Sequence, residues 1–447
     1  MHDTGIEDAL VVTPDGVRRA NVYVTDGLIT AIGDEPLPAR ERIAAGGRPL
    51  LPGMVDTHVH LMDPGDPTRE DFPSGTAAAA VNGVTTVLEH THVQPVRTTE
   101  DLRAKCEHLA DRSWVDYGLV AHAWPGGVDE LEPLWQAGIA YFKLFTCETH
   151  GIAAHDAPSL REHFETVARI GAVCLVHCED NALCAVDECR LRATDRDDGE
   201  IISEWRSPMA ERVAVAGTLQ VAHLTGARVG VAHCSSPAVA DLISHTRSAG
   251  ADVVAEACPQ YFLLRASELA EHGALRKFTP PARARTDADE EQMWRLLRGG
   301  ELAFVSSDHA PSTREQKAQG IWDAPFGLPG LDTTMALLLD ASARHRLSLS
   351  DVARVYSEAP ARQYGLWPRK GALAVGADAD LILIDLDAER VLTDERVRSK
   401  AGWTPYAGRR VRGRVLTTWL RGEVIARDGE LVGGRRGRFV PGAGASS

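Results

Sequence analysis

Five short segments between Val55 and His309 each carry a metal-type ligand or a lysine at or near the end of an apolar run, and a fold has to explain that scatter. They are Val55-Asp56-Thr57-His58-Val59-His60, Tyr141-Phe142-Lys143-Leu144-Phe145, Cys174-Leu175-Val176-His177-Cys178, Val229-Gly230-Val231-Ala232-His233 and Phe304-Val305-Ser306-Ser307-Asp308-His309. In a strand, residues two apart point the same way, so His58 and His60 can reach one ion. Alone, that pair also fits a strand with two hydrogen-bonded histidines. Recurrence favours metal: His177, His233 and Asp308 each follow the kind of apolar run that marks a buried parallel strand. In a parallel α/β barrel the C-terminal strand ends converge on one mouth, which makes these residues neighbours.

Lys143 is the odd member, because an ammonium does not bind metal and is costly to bury unpaired. Two readings are open. It pairs with a carboxylate such as Glu148 or snorkels to solvent, or its neutral amine takes up carbon dioxide as a carbamate, an anionic group able to bridge two metals.

Between the ligand segments, apolar runs alternate with helical stretches at Ser159 to Ile170, Met209 to Leu224 and Asp287 to Leu297, the pattern of repeated βα units. Residues 1–50 and 366–432 instead show short alternating runs broken by turns such as Pro14-Asp15-Gly16 and Thr25-Asp26-Gly27. The expected architecture is α/β: a TIM-type (β/α)8 barrel over 51–365, with a small β-sandwich built from both chain ends. A Gly- and Arg-rich stretch, 433–447, is expected to be a flexible tail or to pack on a neighbour.

In order and spacing, the ligands resemble those of the cyclic amidohydrolases of the amidohydrolase superfamily: hydantoinase (dihydropyrimidinase), allantoinase and dihydroorotase. The likeness extends through Asp63-Pro64-Gly65, Gly83-Val84-Thr85-Thr86, Glu256-Ala257-Cys258-Pro259-Gln260-Tyr261, Pro280-Pro281-Ala282-Arg283, Asp308-His309-Ala310-Pro311 and Gly327-Leu328-Pro329-Gly330, nearly the whole chain. It implies two divalent ions, usually zinc. His58, His60 and Asp308 would hold one and His177 and His233 the other, with N6-carboxylated Lys143 on both and a bridging hydroxide. It further implies ring opening of a small cyclic amide or imide, with Asp308 as the proton carrier. Dimers or tetramers of the chain are the expected assembly. All six ligand residues are present, which disfavours an inactive scaffold homologue, and Lys143 disfavours a mononuclear deaminase.

Three departures argue against dihydroorotase, which grips a substrate carboxylate. Met62 stands in the place of an arginine, His92 in that of an asparagine, and Ser312 in that of a histidine; Arg69 or Arg283 would have to substitute as the cation. Hydantoinases carry a tyrosine five residues past the lysine, where this chain has Glu148. His150 is the candidate replacement as oxyanion donor, against a reading as a surface-loop histidine. Substrate contacts are expected at Met62, His92, Thr279, Pro281 and Gly330, with Trp124, Trp322 and Phe326 near the mouth. His90 and His92 form a second His-x-His, read as substrate-facing or supporting, with Glu89 and His122 as hydrogen-bond partners.

Composition agrees with a globular enzyme: 447 residues, 44% hydrophobic and 25% charged. A net charge of −15 argues against nucleic acid or an anionic membrane as partner. No apolar run approaches the roughly 18 residues of a membrane helix, and Met1-His2-Asp3-Thr4-Gly5 lacks a signal-peptide pattern, so a cytoplasmic location is expected. Eight cysteines without a Cys-x-x-Cys pair are expected to be reduced and buried.

Overall fold

A computed structural model describes residues 1–445. Eight parallel strands form the barrel: Met54–Val59, Val84–Glu89, Asp116–Leu119 continuing into Ala121–His122, Phe142–Phe145, Val173–His177, Arg228–Val231, Val253–Ala257 and Leu302–Val305. The ring closes where His60 N donates to His309 O at 2.8 Å beside a parallel bridge between Val59 and His309. Because every strand is covered on both faces, the sequence reads as continuous apolar runs, not as alternation.

The outer helices are specified locally. In Ala157–Ile170, the Asp156 side chain caps the start by accepting from Ser159 N, and Gly171, at φ 67°, ends the helix in the left-handed region. Leu160, Phe164 and Val167 recur at helical spacing and are buried.

Both chain ends build one nine-stranded sheet. Pro49–Pro52 is its seam, parallel to His2–Thr13 and antiparallel to Leu381–Val391. Ile6, Val11, Val22 and Leu50 share a buried cluster with Leu381, Leu383 and Trp419, so the ends of the sequence share one core. Gly53 joins seam to barrel, and a Cβ there would collide with the Thr85 side chain.

One expectation needs correction. The segment read as a flexible tail folds back on the barrel: Tyr117 N donates to Arg438 O at 3.0 Å, Val440 N to Tyr117 O at 2.7 Å, and Gly442 N to Gly138 O at 2.9 Å. Val440 is buried. Backbone pairing carries this contact, so a Gly- and Arg-rich composition does not prevent it. Ser446 and Ser447 lie outside the described residues. Among the described residues no helix is long and apolar enough to cross a membrane.

Candidate active site and metal centre

The strand ends deliver the six residues singled out by the ligand pattern to one cavity. His58, His60, Lys143, His177, His233 and Asp308 line it together with His92, His150, Thr279 and Phe326. Asp308 Oδ1 lies 3.4 Å from His58 Nε2 and 3.5 Å from His60 Nε2, and His177 Nδ1 lies 2.9 Å from His233 Nε2. Lys143 Nζ stands between the two groups, 3.4 Å from His58 Nε2.

The donor set fits a pair of divalent cations. Burial keeps the rings of His58, His60, His177 and His233 below the usual imidazole range, which favours the neutral form that binds metal. Three of the four outer faces are fixed by a second group. His58 Nδ1 is held by Glu256 at 2.9 Å, His60 Nδ1 donates to His90 O at 2.7 Å, and His177 Nε2 lies 2.7 Å from Glu179. These contacts orient the remaining nitrogens inward.

Lys143 is fully buried, and among the described residues no carboxylate pairs with it. Glu148 is exposed, so that pairing is not formed, and the side chain does not reach solvent either. Burial lowers the amine to about 8, against opposing pulls from Glu256 and Asp308. Burial likewise raises the Asp308 carboxyl above the usual carboxylate range.

Four non-glycine residues of this mouth have positive φ: Met62 at 55°, His150 at 53°, His233 at 38° and Asp308 at 48°. Such backbone is sparsely populated and persists where surrounding contacts over-determine it. At Asp308 the constraint comes from its neighbour: His309 Nδ1 accepts from Gly330 N at 3.0 Å while Nε2 faces Glu70 at 3.3 Å. The two motifs are thereby tied together.

The expected substrate contacts divide. His92 and Thr279 line the cavity, as does Phe326. Met62, Pro281 and Gly330 are buried behind it, Gly330 with its N–H committed to His309. Trp322 packs on Trp205, centroids 5.5 Å apart, and Trp124 beneath Arg97, so neither lines the cavity. His150 is not a surface-loop residue: its ring stacks on His92 with centroids 4.2 Å apart, and its Nε2 is buried without a partner. Glu89 does not serve His92, because it pairs with Lys105 at 2.5 Å.

Sequence reasoning missed Glu179 and Arg206. Glu179 accepts from Thr279 Oγ1 at 2.6 Å and lies 3.4 Å from Arg206 Nη1. Burial alone would raise its carboxyl; Arg206, His177 and Thr279 outweigh that and hold it at about 2. A charged carboxylate thus links His177 to the loop Phe278-Thr279-Pro280-Pro281. Its place two residues past His177 was a signal available in the sequence; Arg206 left none.

A model of the amidohydrolase family matches residues 50–425. An allantoinase of Streptomyces avermitilis is 35% identical over 430 residues, spanning 94% of this chain and 95% of that protein. A dihydroorotase of Halobacterium salinarum is 35% identical over 396 residues, spanning 88% of this chain and 89% of that one. The solved L-hydantoinase (dihydropyrimidinase) from Arthrobacter aurescens superposes with a TM-score of 0.94 at 30% identity, covering 99% of this chain and 100% of the other. With six strand-end residues gathered in one cavity and a match of this extent, the chain belongs to the amidohydrolase family.

Proposed function

We propose that the chain opens the ring of a small, uncharged cyclic amide or imide in the manner of a hydantoinase or allantoinase, with dihydroorotase activity as the alternative. One observation carries the choice of a neutral ring: no arginine lines the cavity among the described residues. Met62 occupies the position of the carboxylate-gripping arginine. Arg69 donates from Nε to Pro311 O at 2.9 Å, and Arg283 bonds Arg206 O. Each candidate substitute thus has a guanidinium nitrogen committed to backbone, and neither lines the cavity.

The barrel, 51–365, carries the chemistry, and 1–50 with 366–432 support it. His58, His60 and Asp308 would hold one ion, His177 and His233 the other, with Lys143 shared. Zinc ions bound there would polarise the scissile carbonyl and lower the pKa of the attacking water. Lys143, as a neutral amine, adds through Nζ to carbon dioxide, forming an N–C bond and releasing a proton. The lack of a carboxylate partner for Lys143 among the described residues supports that carbamate reading.

Asp308 accepts a proton from the attacking water and delivers it to the amide nitrogen as the C–N bond breaks. His150 offers its unpartnered Nε2 to the carbonyl oxygen as charge develops, in place of the missing tyrosine. Thr279 and His92 face the ring, and Phe326 covers it. A homodimer or homotetramer is the proposed assembly.

The test is a side-by-side assay of hydantoin, dihydrouracil, allantoin, dihydroorotate and succinimide with zinc-loaded enzyme. Turnover of a neutral ring is expected; preference for dihydroorotate would overturn the reading. Lys143→Ala is expected to lose metal and activity, with partial rescue by short carboxylic acids. Full metal content in that variant would remove the carbamate from the account.

A further inference from the structure

The binuclear site uses four histidines and leaves another group beside it unexplained. His90 follows the second barrel strand, His92 lies two residues on, and His122 ends the third. Their ring centroids are 5.6 Å apart for His90 and His122, 5.9 Å for His92 and His122, and 6.0 Å for His90 and His92, nearly an equilateral triangle. Both ring nitrogens of His90, both of His122 and Nδ1 of His92 are buried without a hydrogen-bond partner among the described residues.

A neutral imidazole carries one donor and one acceptor, and leaving both unmet in the interior is unfavourable. The nearest carboxylate in sequence, Glu89, is committed to Lys105. A cation would take one nitrogen from each of the three rings. With metal–nitrogen distances of 2.0–2.1 Å, three ligated rings have centroids roughly 5 to 5.5 Å apart, and the spacing of this triangle is close to that of a tripod.

We infer that His90, His92 and His122 form a third metal site, adjoining the binuclear pair, for a transition ion of the zinc, cobalt or nickel class. Its all-imidazole donors do not suit magnesium or calcium, which take oxygen ligands. His122 lines a surface cleft of about 710 Å³, which gives the ion an entry path outside the catalytic cavity. His92 lines the catalytic cavity and stacks on His150. An ion bound here therefore fixes the ring that faces the substrate.

The test is metal per chain after saturation of the intact enzyme with zinc and removal of free metal, in wild type, His122→Gln, Lys143→Ala and the double variant. The inference expects His122→Gln to lose one ion relative to its parent in both backgrounds. The Lys143 background separates this site from the binuclear reading, because an ion that depends on His122 should survive there. If His122→Gln does not fold, His92→Gln takes its place, together with a cobalt titration of the wild type. A tetrahedral absorption band for a third equivalent is expected. A count insensitive to His122 and His92, or a cobalt titration ending at two equivalents, overturns the third site.

Discussion

Glu256 and His58 lie on strands at opposite ends of the barrel sequence, yet the Glu256 carboxylate stands 2.9 Å from His58 Nδ1, both fully buried. The same carboxylate accepts from His233 N at 2.9 Å and from Ser306 Oγ, so one side chain braces ligands proposed for both ions. Burial works to raise it, but the His58 ring, Lys143 and Ser306 hold it below the usual carboxylate range. Glu256→Gln keeps the shape and removes the charge. Metal affinity is expected to fall roughly 10- to 100-fold, read by chelator competition. Unchanged affinity would show that Glu256 only packs.

Arg206 neutralises Glu179 in a site closed to solvent, which makes the pair sensitive to the loss of one member. Arg206→Leu leaves a buried carboxylate whose remaining partners are His177 and Thr279. Stability is expected to drop by about 3–5 kcal/mol in denaturant titration, since removing one partner of a buried ion pair strands the other charge. A loss below about 1 kcal/mol would place the pair among exposed, weakly contributing bridges.

Asp63 gives a pH-dependent test away from the proposed ligands. Burial would raise its carboxyl, but Arg112 at 2.7 Å, His108 at 2.6 Å and Phe72 N at 3.0 Å hold it below the usual carboxylate range. A depressed folded pKa contributes stability above the unfolded pKa and loses it as pH falls through the folded value. Wild type is therefore expected to exceed Asp63→Asn most at neutral pH, with the gap shrinking below about pH 4. A gap constant from pH 7 to pH 3 would contradict this pairing.

Asp308 is proposed both to hold metal and to move the proton. Asp308→Asn retains an oxygen donor but cannot accept that proton, so turnover is expected to fall roughly 10²- to 10⁴-fold, the usual contribution of general acid–base catalysis. Its metal content should fall less than that of Lys143→Ala. Near-native turnover would place the base elsewhere.

The gathering of these six residues in one cavity was legible because strand periodicity and the barrel's geometry are strict. His58 and His60 two apart, and His177, His233 and Asp308 after apolar runs, require one mouth whatever the chemistry. The supporting residues were less visible. Arg206 comes from an extra-barrel segment with no pattern linking it to the strand end carrying His177. Gly330 is tied to the strand end of Asp308 through a backbone N–H to His309, which no side-chain reading reveals. The tail shows the same limit: Phe439-Val440-Pro441 was its apolar signal, but its attachment to Tyr117 runs through backbone groups. Glu179, two residues beyond His177, was within reach of strand periodicity.

The most direct measurement is ring opening of the preferred neutral substrate before and after chelation, with zinc then returned in measured equivalents. The account predicts an inactive chelated enzyme whose turnover recovers as the site of His58, His60, Lys143, His177, His233 and Asp308 refills. Full turnover in chelated, metal-free enzyme would contradict it.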